Sequence, residues 1–507
     1  MPETPADAAT SLVLAAVRLP GETALRDVHV LDGLVSRIAP AGELPCVPGS
    51  RVLDLDGRYV IPGLWDEHVH MTQWALAANR IDLSGAASAR EAADVVRSNI
   101  ADHGPAEGNS DAGGRAVVGV GFRDAVWGDV PSLDLLDGVT GGLPTALLSH
   151  DLHCVWLNSA AAARYGMPVD ASGLLREEPA FELTRELGRL PDPVVDAWVR
   201  ESAQAAAARG IVGIVDFEMT WNRDVWLRRV AGGFGSFRVD AGVYPQDLDR
   251  AVAEGLRTGQ VLDGGAGLLR VGPFKVLIDG SLNTRTAYCV DPYPHGGRGL
   301  LTLSAAELLD LLVRARESGF VPAVHAIGDG ANEVALNAFA AAGVRGRIEH
   351  AQFVRSQDFA RFGELGLTAS VQPAHALDDR DAADSNWAGR THRAFPLRSL
   401  LAAGATLALG SDAPVAPLEP WLAMSAATTR ARQDGRVPWH TWHPEQALTR
   451  TEALTASTRG RGRIRLGDPA DLAVLDGDPF DVSDAAFAAM PVAATLVAGR
   501  FTHGGGV

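Results

Sequence analysis

The sequence predicts an α/β protein: a (β/α)8 barrel of the TIM type, a composite β-sandwich domain assembled from both ends of the chain, and a large insert after the first barrel strand. Three observations predict it. Eight short apolar segments between residues 60 and 410 are each followed by a loop with polar residues and most by an Ala/Leu/Arg-rich stretch, the texture of βα units around a parallel sheet. The two ends instead alternate short apolar runs with turn residues. Between the first and second barrel segments the chain runs far longer than a βα connection needs.

The ends come first. Asp27-Val-His-Val-Leu-Asp32 and Arg51-Val-Leu-Asp-Leu-Asp-Gly57 read as strands of a small β domain, and Gly467-Asp-Pro-Ala-Asp-Leu-Ala-Val-Leu-Asp476 and Ala494-Thr-Leu-Val-Ala-Gly-Arg500 share their pattern. Chain ends often lie close together, so residues 1–60 and 464–507 are expected to form one domain. The eight barrel strands are expected at Val60–Leu64, Ile211–Val215, Arg238–Val243, Phe274–Ile278, Val321–His325, Arg347–His350, Leu367–Val371 and Leu407–Gly410. Eight strands close a barrel, assigned to residues 61–84 and 209–463. Residues 85–208 are left as an inserted subdomain covering the active site; long connections of this kind usually serve function.

Composition bounds the activity. A formal net charge of −17 argues against a polyanionic partner, because nucleic-acid affinity rests on Lys and Arg neutralising phosphates. A small molecule is the expected partner. The three cysteines, Cys46, Cys154 and Cys289, are too few and too scattered for a disulfide framework or a Cys-rich zinc site. An acidic start and the lack of any long apolar run lead to the expectation of a cytoplasmic protein without a membrane segment. A homodimer through barrel helices is compatible with the sequence.

Lysine usage is the sharpest compositional signal. Of 45 basic residues one is lysine, Lys275, in the apolar setting Gly272-Pro-Phe-Lys-Val-Leu-Ile278. Arginine is effectively never deprotonated, whereas a buried lysine can become a neutral nucleophilic amine. The solitary lysine therefore points to a task that arginine cannot perform.

Ligand-type residues stand at the ends of five candidate strands, where barrel enzymes place their chemistry. His68 and His70 follow the first strand; two residues apart on extended chain, they face the same way and can reach one cation. Lys275 lies on the fourth strand, and His325, His350 and Asp412 end the fifth, sixth and eighth. Each alone is as readily a satisfied core polar group; their recurrence at strand ends of one barrel is not.

These motifs, with Asp279-Gly-Ser-Leu282, His325-Ala-Ile-Gly-Asp329, Glu349-His-Ala-Gln352, Gln372-Pro373 and Gly410-Ser-Asp-Ala-Pro414, resemble the amidohydrolase superfamily. Within it, the closer likeness is to amidohydrolase family 3 and its N-substituted formamide deformylase-like enzymes, over nearly the whole chain. The resemblance implies a distorted barrel and two divalent cations, zinc expected, with His68, His70 and Asp412 on one, His325 and His350 on the other, and carbamylated Lys275 bridging them. It further implies hydrolysis of a non-peptide amide-type C–N bond by a metal-bridged hydroxide, with Asp412 as proton shuttle. Imidazole and carboxylate ligands suit zinc. His153, in Ser149-His-Asp-Leu-His153, resembles a segment that approaches the metals and is expected to contact the scissile carbonyl or another polar group of the substrate. Asp279, Asp329 and Glu349 are candidates for orienting imidazoles. His375 is expected to face the pocket, and Trp127, Trp156 and Trp387 either to form its apolar wall or to pack the insert. Ring deamination or cyclic-imide hydrolysis on the same scaffold is the alternative. A dinucleotide-binding enzyme is disfavoured, because Gly119-Val-Gly-Phe-Arg-Asp124 lacks the third glycine of that fingerprint.

Overall fold

The structure, a computed structural model, describes residues 11–45, 49–103, 116–122, 124, 127–149, 154–176, 178–294, 296–431 and 441–506. The chain divides into two compact units, Met1–Met71 with Ala203–Val507, and Thr72–Ser202.

In the first unit the two ends of the chain share one sheet. Ser11–Arg18, Leu25–Leu31, Leu34–Pro40, Arg51–Asp54 and Tyr59–Pro62 join Leu472–Leu475, Val492–Val497 and Arg500–His503. The join is antiparallel, with Tyr59 opposite Leu475 and Pro62 opposite Leu472. Val35 N–H donates to Asp468 O and Ala470 N–H to Gly33 O, so the sheet curls around a core that includes Leu14, Val28, Val60, Leu472 and Leu496.

The same unit contains the barrel. Its eight strands are β1 (Leu64–Val69), β2 (Ile211–Asp216), β3 (Arg238–Val243), β4 (Leu269–Leu277), β5 (Pro322–Ala326), β6 (Arg347–His350), β7 (Thr368–Val371) and β8 (Thr406–Leu409), in sequential parallel order. β1 and β2 are buried at every residue, as parallel strands covered on both faces require. Helices follow the strands, among them Ala305–Glu317 after β4 and Asp329–Ala342 after β5. A capping box of Ser304 and Glu307 starts the former by satisfying otherwise orphaned N–H groups.

The expected first strand, Val60–Leu64, is corrected: Val60–Pro62 belongs to the terminal sheet and the barrel begins at Leu64. The chain changes sheets at Gly63, whose N–H donates to Asp471 O, while Leu64 N–H donates to Gly210 O. A Cβ at residue 63 would stand 2.2 Å from Val212 Cγ1, so only glycine lets the crossover pass this close. An unbroken buried apolar run cannot reveal such a switch, since its residues are apolar on either side of it.

Closure of the barrel occurs just beyond the ends of β1 and β8. Asp412 N–H donates to His68 O at 2.7 Å, His70 N–H donates to Ala413 O at 2.9 Å, and Val69 and Ala413 form a parallel bridge. The clasp that joins first and last strands is thus made by the backbone of three expected ligands. Gly410 makes room for it, because a Cβ there would lie 2.7 Å from His68 N.

The second unit carries a five-stranded sheet of Ile81–Asp82, Val117–Phe122, Thr145–Ser149, Cys154–Leu157 and Leu174–Arg176, flanked by helices that include Ala89–His103 and Glu178–Leu187. Trp127 and Trp156 pack within it: their indole N–H groups donate to Ala86 O and Ser132 O, and their rings meet edge to face. No helix among the described residues is long and apolar enough to cross a membrane.

Candidate metal centre

The strands deliver six expected side chains to one mouth of the barrel. His68 is the penultimate residue of β1 and His70 follows it; Lys275 lies within β4, His325 within β5, His350 at the end of β6 and Asp412 three residues past β8. His350 and Asp412 have φ of +73° and +60°, a left-handed conformation uncommon outside glycine that marks a backbone held for its side chain's direction.

The groups converge. His68 Nε2 lies 3.2 Å from Lys275 Nζ and 3.5 Å from Asp412 Oδ1, and His70 Nε2 lies 3.3 Å from the same oxygen. Ring centroids of His325 and His350 are 4.5 Å apart, and those of His68 and His350 5.1 Å. Ligand atoms of His68, His70 and Asp412 lie within 4.8 Å of one another, and those of His350, His375 and Asp412 form a second such group. His375 stacks on His350 at 6.1 Å and extends the cluster beyond the six.

Burial and neighbouring charges set the protonation of these groups. Burial pushes the His68 imidazole down to about 4, helped by the Lys275 cation, and His325 down to about 3; His350 is lowered well below the usual range, again chiefly by burial. Neutral imidazole is the form that binds metal. Burial also pulls Lys275 down to about 8, so a substantial neutral fraction exists near physiological pH. For Asp412 burial would favour the acid, but His68, His70, His350 and His375 keep it a carboxylate. His70 moves the other way: burial opposes its proton, yet the bond to Asp412 raises it.

Orientation comes from a layer beneath. Glu349, fully buried, is held ionised against the cost of burial by Arg347 and His68. A carboxylate only accepts, so its Oε2, 2.8 Å from His68 Nδ1, places the proton there and leaves Nε2 as the free lone pair. His325 Nε2 lies 3.4 Å from Asp279 Oδ1, whose carboxylate also takes N–H bonds from Ile327, Gly328 and Tyr288. Asp329 serves the loops instead, accepting from Val290 N–H and facing Arg393.

The residues fit cations on the evidence of their own unmet bonds. His70 Nδ1, His350 Nδ1 and His375 Nε2 are buried and have no hydrogen-bond partner among the described residues. Buried polar atoms are nearly always partnered, and three lone imidazole nitrogens in one cluster of histidines and a carboxylate match the donor chemistry of zinc.

Other expectations fall elsewhere. His153 lies outside the described residues. Trp387 does not wall the mouth; it is fully buried and stacks on Phe353 at 4.3 Å. Sequence reasoning missed Phe217, whose ring lies 4.4 Å from Lys275 Nζ and edge-on to His68 at 4.8 Å. It also missed a buried ion-pair chain below Glu349: Arg347 Nε donates to Glu349 Oε1, Arg347 Nη1 to Glu67 Oε2, and Arg459 Nε to Glu67 Oε1. The available signal was Trp65-Asp-Glu-His68, three consecutive ionisable residues inside a strand that had to be buried.

Comparison with known proteins follows from this geometry. The model of the family described as "Amidohydrolase family" matches residues 51–503. Protein LONG AFTER FAR-RED 3 of Arabidopsis thaliana is 29% identical over 89% of this chain and 83% of its own length. N-substituted formamide deformylase of Arthrobacter pascens is 26% identical over 89% of this chain and 90% of its own. Among solved structures, an uncharacterised metal-dependent hydrolase from Pyrococcus horikoshii OT3 superposes with a TM-score of 0.77 at 25% identity, covering 94% of this chain and 99% of that one.

Proposed function

Because this chain belongs to the amidohydrolase family and is an enzyme of carbon–nitrogen bond hydrolysis, we propose that it cleaves a linear, non-peptide amide-type bond in a small molecule with the aid of two divalent cations, zinc preferred. The observation that carries this reading is the convergence of His68, His70, Lys275, His325, His350 and Asp412, with lone buried nitrogens among them. His68, His70 and Asp412 would hold one ion and His325 with His350 the other; Lys275 would bridge them after its amine adds carbon dioxide and releases a proton. The resulting carbamate offers two oxygens where arginine offers none.

The chemistry that bound cations supply at such a site is a water whose pKa falls from about 15.7 to about 7, and a polarised carbonyl. The protein does the rest. Asp412, kept ionised by the surrounding imidazoles, takes the proton of the attacking water and delivers it to the leaving nitrogen. Glu349 fixes the tautomer of His68, and Asp279 steadies His325. The likeness to an enzyme named for N-substituted formamides supports an acyclic amide or formamide over a ring substrate.

The test is a panel of N-formyl, N-acyl and cyclic amides offered to zinc- or manganese-loaded protein, beside metal analysis. We expect turnover of an acyclic amide and near two ions per chain. Lys275→Ala should abolish turnover and lower metal content, with partial rescue by short-chain carboxylic acids. A single ion per chain with unmodified Lys275 and cyclic or ring substrates preferred would overturn the reading, as would a fully active Lys275→Arg.

A further inference from the structure

The opposite mouth of the barrel holds a cavity of about 650 Å³. Its lining includes Arg347, Thr368 and Thr406, the first residues of β6, β7 and β8, together with Val321 just before β5. It therefore opens at the N-terminal ends of the strands, away from the metal centre. Val271, Pro273, Leu401 and Leu407 give it apolar walls. A volume of this size is within the range of pockets that enclose small organic ligands.

The charges around it are unevenly spent. Glu67 accepts from Arg347 and Arg459 with its two oxygens, Asp240 Oδ2 pairs with Arg459 Nη2 at 2.7 Å, and Glu452 is gripped by both terminal nitrogens of Arg398. All three lining carboxylates are thus engaged by guanidinium groups. Arg270 is different: its exposed side chain lines the cavity and makes no hydrogen bond or ion pair to any described residue. Of the three arginines that line the cavity, Arg347 and Arg459 are spent on carboxylates, and Arg270 is the one without a partner among the described residues.

We propose that this basal cavity is a second binding site, for a small organic carboxylate with an apolar body, its anionic group on Arg270 and its body against Val271, Pro273, Leu401 and Leu407. A guanidinium fork matches a carboxylate, and the ion-paired wall of Glu67, Arg347 and Arg459 is already fixed in place, so little ordering opposes binding. An ammonium ligand is disfavoured, since each nearby carboxylate is already neutralised.

The experiment is calorimetric titration of the full chain as purified with octanoate, and separately with octylamine, so no turnover enters the readout. We expect one octanoate per chain to bind in a mode that survives His70→Ala, weakens at least tenfold in Arg270→Leu, and weakens similarly in Val321→Trp, which plugs the mouth from a side chain already 40% exposed. Binding abolished by His70→Ala would assign it to the metal centre and overturn the proposal. So would octanoate affinity unchanged in Arg270→Leu, octylamine binding as well as octanoate, or no binding at millimolar concentration.

Discussion

Glu349→Gln tests whether the layer beneath the ligands sets metal affinity. Glu349 Oε1 accepts from Arg347 Nε at 2.7 Å and Oε2 from His68 Nδ1 at 2.8 Å, so the side chain must accept on both sides. An amide has one acceptor and one donor. With its oxygen toward His68, its NH2 opposes the Arg347 N–H; turned round, it donates to His68 Nδ1 and moves the imidazole proton to Nε2, the nitrogen that faces Lys275 and Asp412. Either arrangement injures the site. Loss of an outer partner of a metal-binding histidine weakens metal affinity roughly 10- to 100-fold. At about 1.4 kcal/mol per factor of ten, that is about 1.4–2.8 kcal/mol. The upper end is expected, since the pair is fully buried and water cannot replace the lost acceptor. Competition against a chelator of known zinc affinity measures it, with circular dichroism to establish that the variant is folded. Affinity within twofold of the unaltered protein would refute the argument that Glu349 fixes the His68 tautomer.

Three further substitutions probe separate parts. Asp412→Asn should keep the fold and much of the metal but lose at least a hundredfold in turnover, read as kcat on the substrate found by the amide panel; near-normal kcat would assign proton transfer to another group. Gly410→Ala should lower thermal stability and metal content together, because its Cβ would collide with His68 N at the closing clasp; an unchanged melting temperature would show that the clasp yields. Asp216 is raised to about 6 by burial and by Glu218, above its usual 3.8, so the folded chain binds the extra proton between those values. Its contribution to stability is present below about 3.8 and fades as pH rises through about 6. Asp216→Asn should therefore cost more at pH 4.5 than at pH 7 in thermal melts; the reverse order would contradict the assignment.

The parts of this protein that were legible in its sequence share a cause. Parallel barrel strands are short buried apolar runs, and candidate ligands at their ends interrupt those runs with histidine or aspartate, so His325, His350 and Asp412 stood out against Val, Ile and Leu. Lys275 was legible because arginine had taken every other basic position. The crossover at Gly63 was hidden, since both sheets demand the same apolar residues. The chain from Glu349 to Arg459 was hidden for another reason: Glu67 lies 280 residues from Arg347 and 392 from Arg459, and a lone Glu or Arg is ordinarily a solvated surface group. His375, first residue of the short helix His375–Asp378 after β7, was legible only from its place behind Gln372-Pro373, since no periodicity marks it. For Trp127, Trp156 and Trp387 the sequence left wall and packing roles open, and all three pack, as large aromatic side chains commonly fill cores.

Lys275, buried beneath Phe217 and without another lysine anywhere in the chain, makes the protein its own reporter. Incubation of the purified protein with ¹³C-bicarbonate would place label on no other side-chain amine, so a carbamate carbon resonance that survives removal of the α-amino signal needs no assignment by mutagenesis. Whether that amine takes up carbon dioxide, and to what extent, could then be followed directly as carbon dioxide, pH or metal is varied.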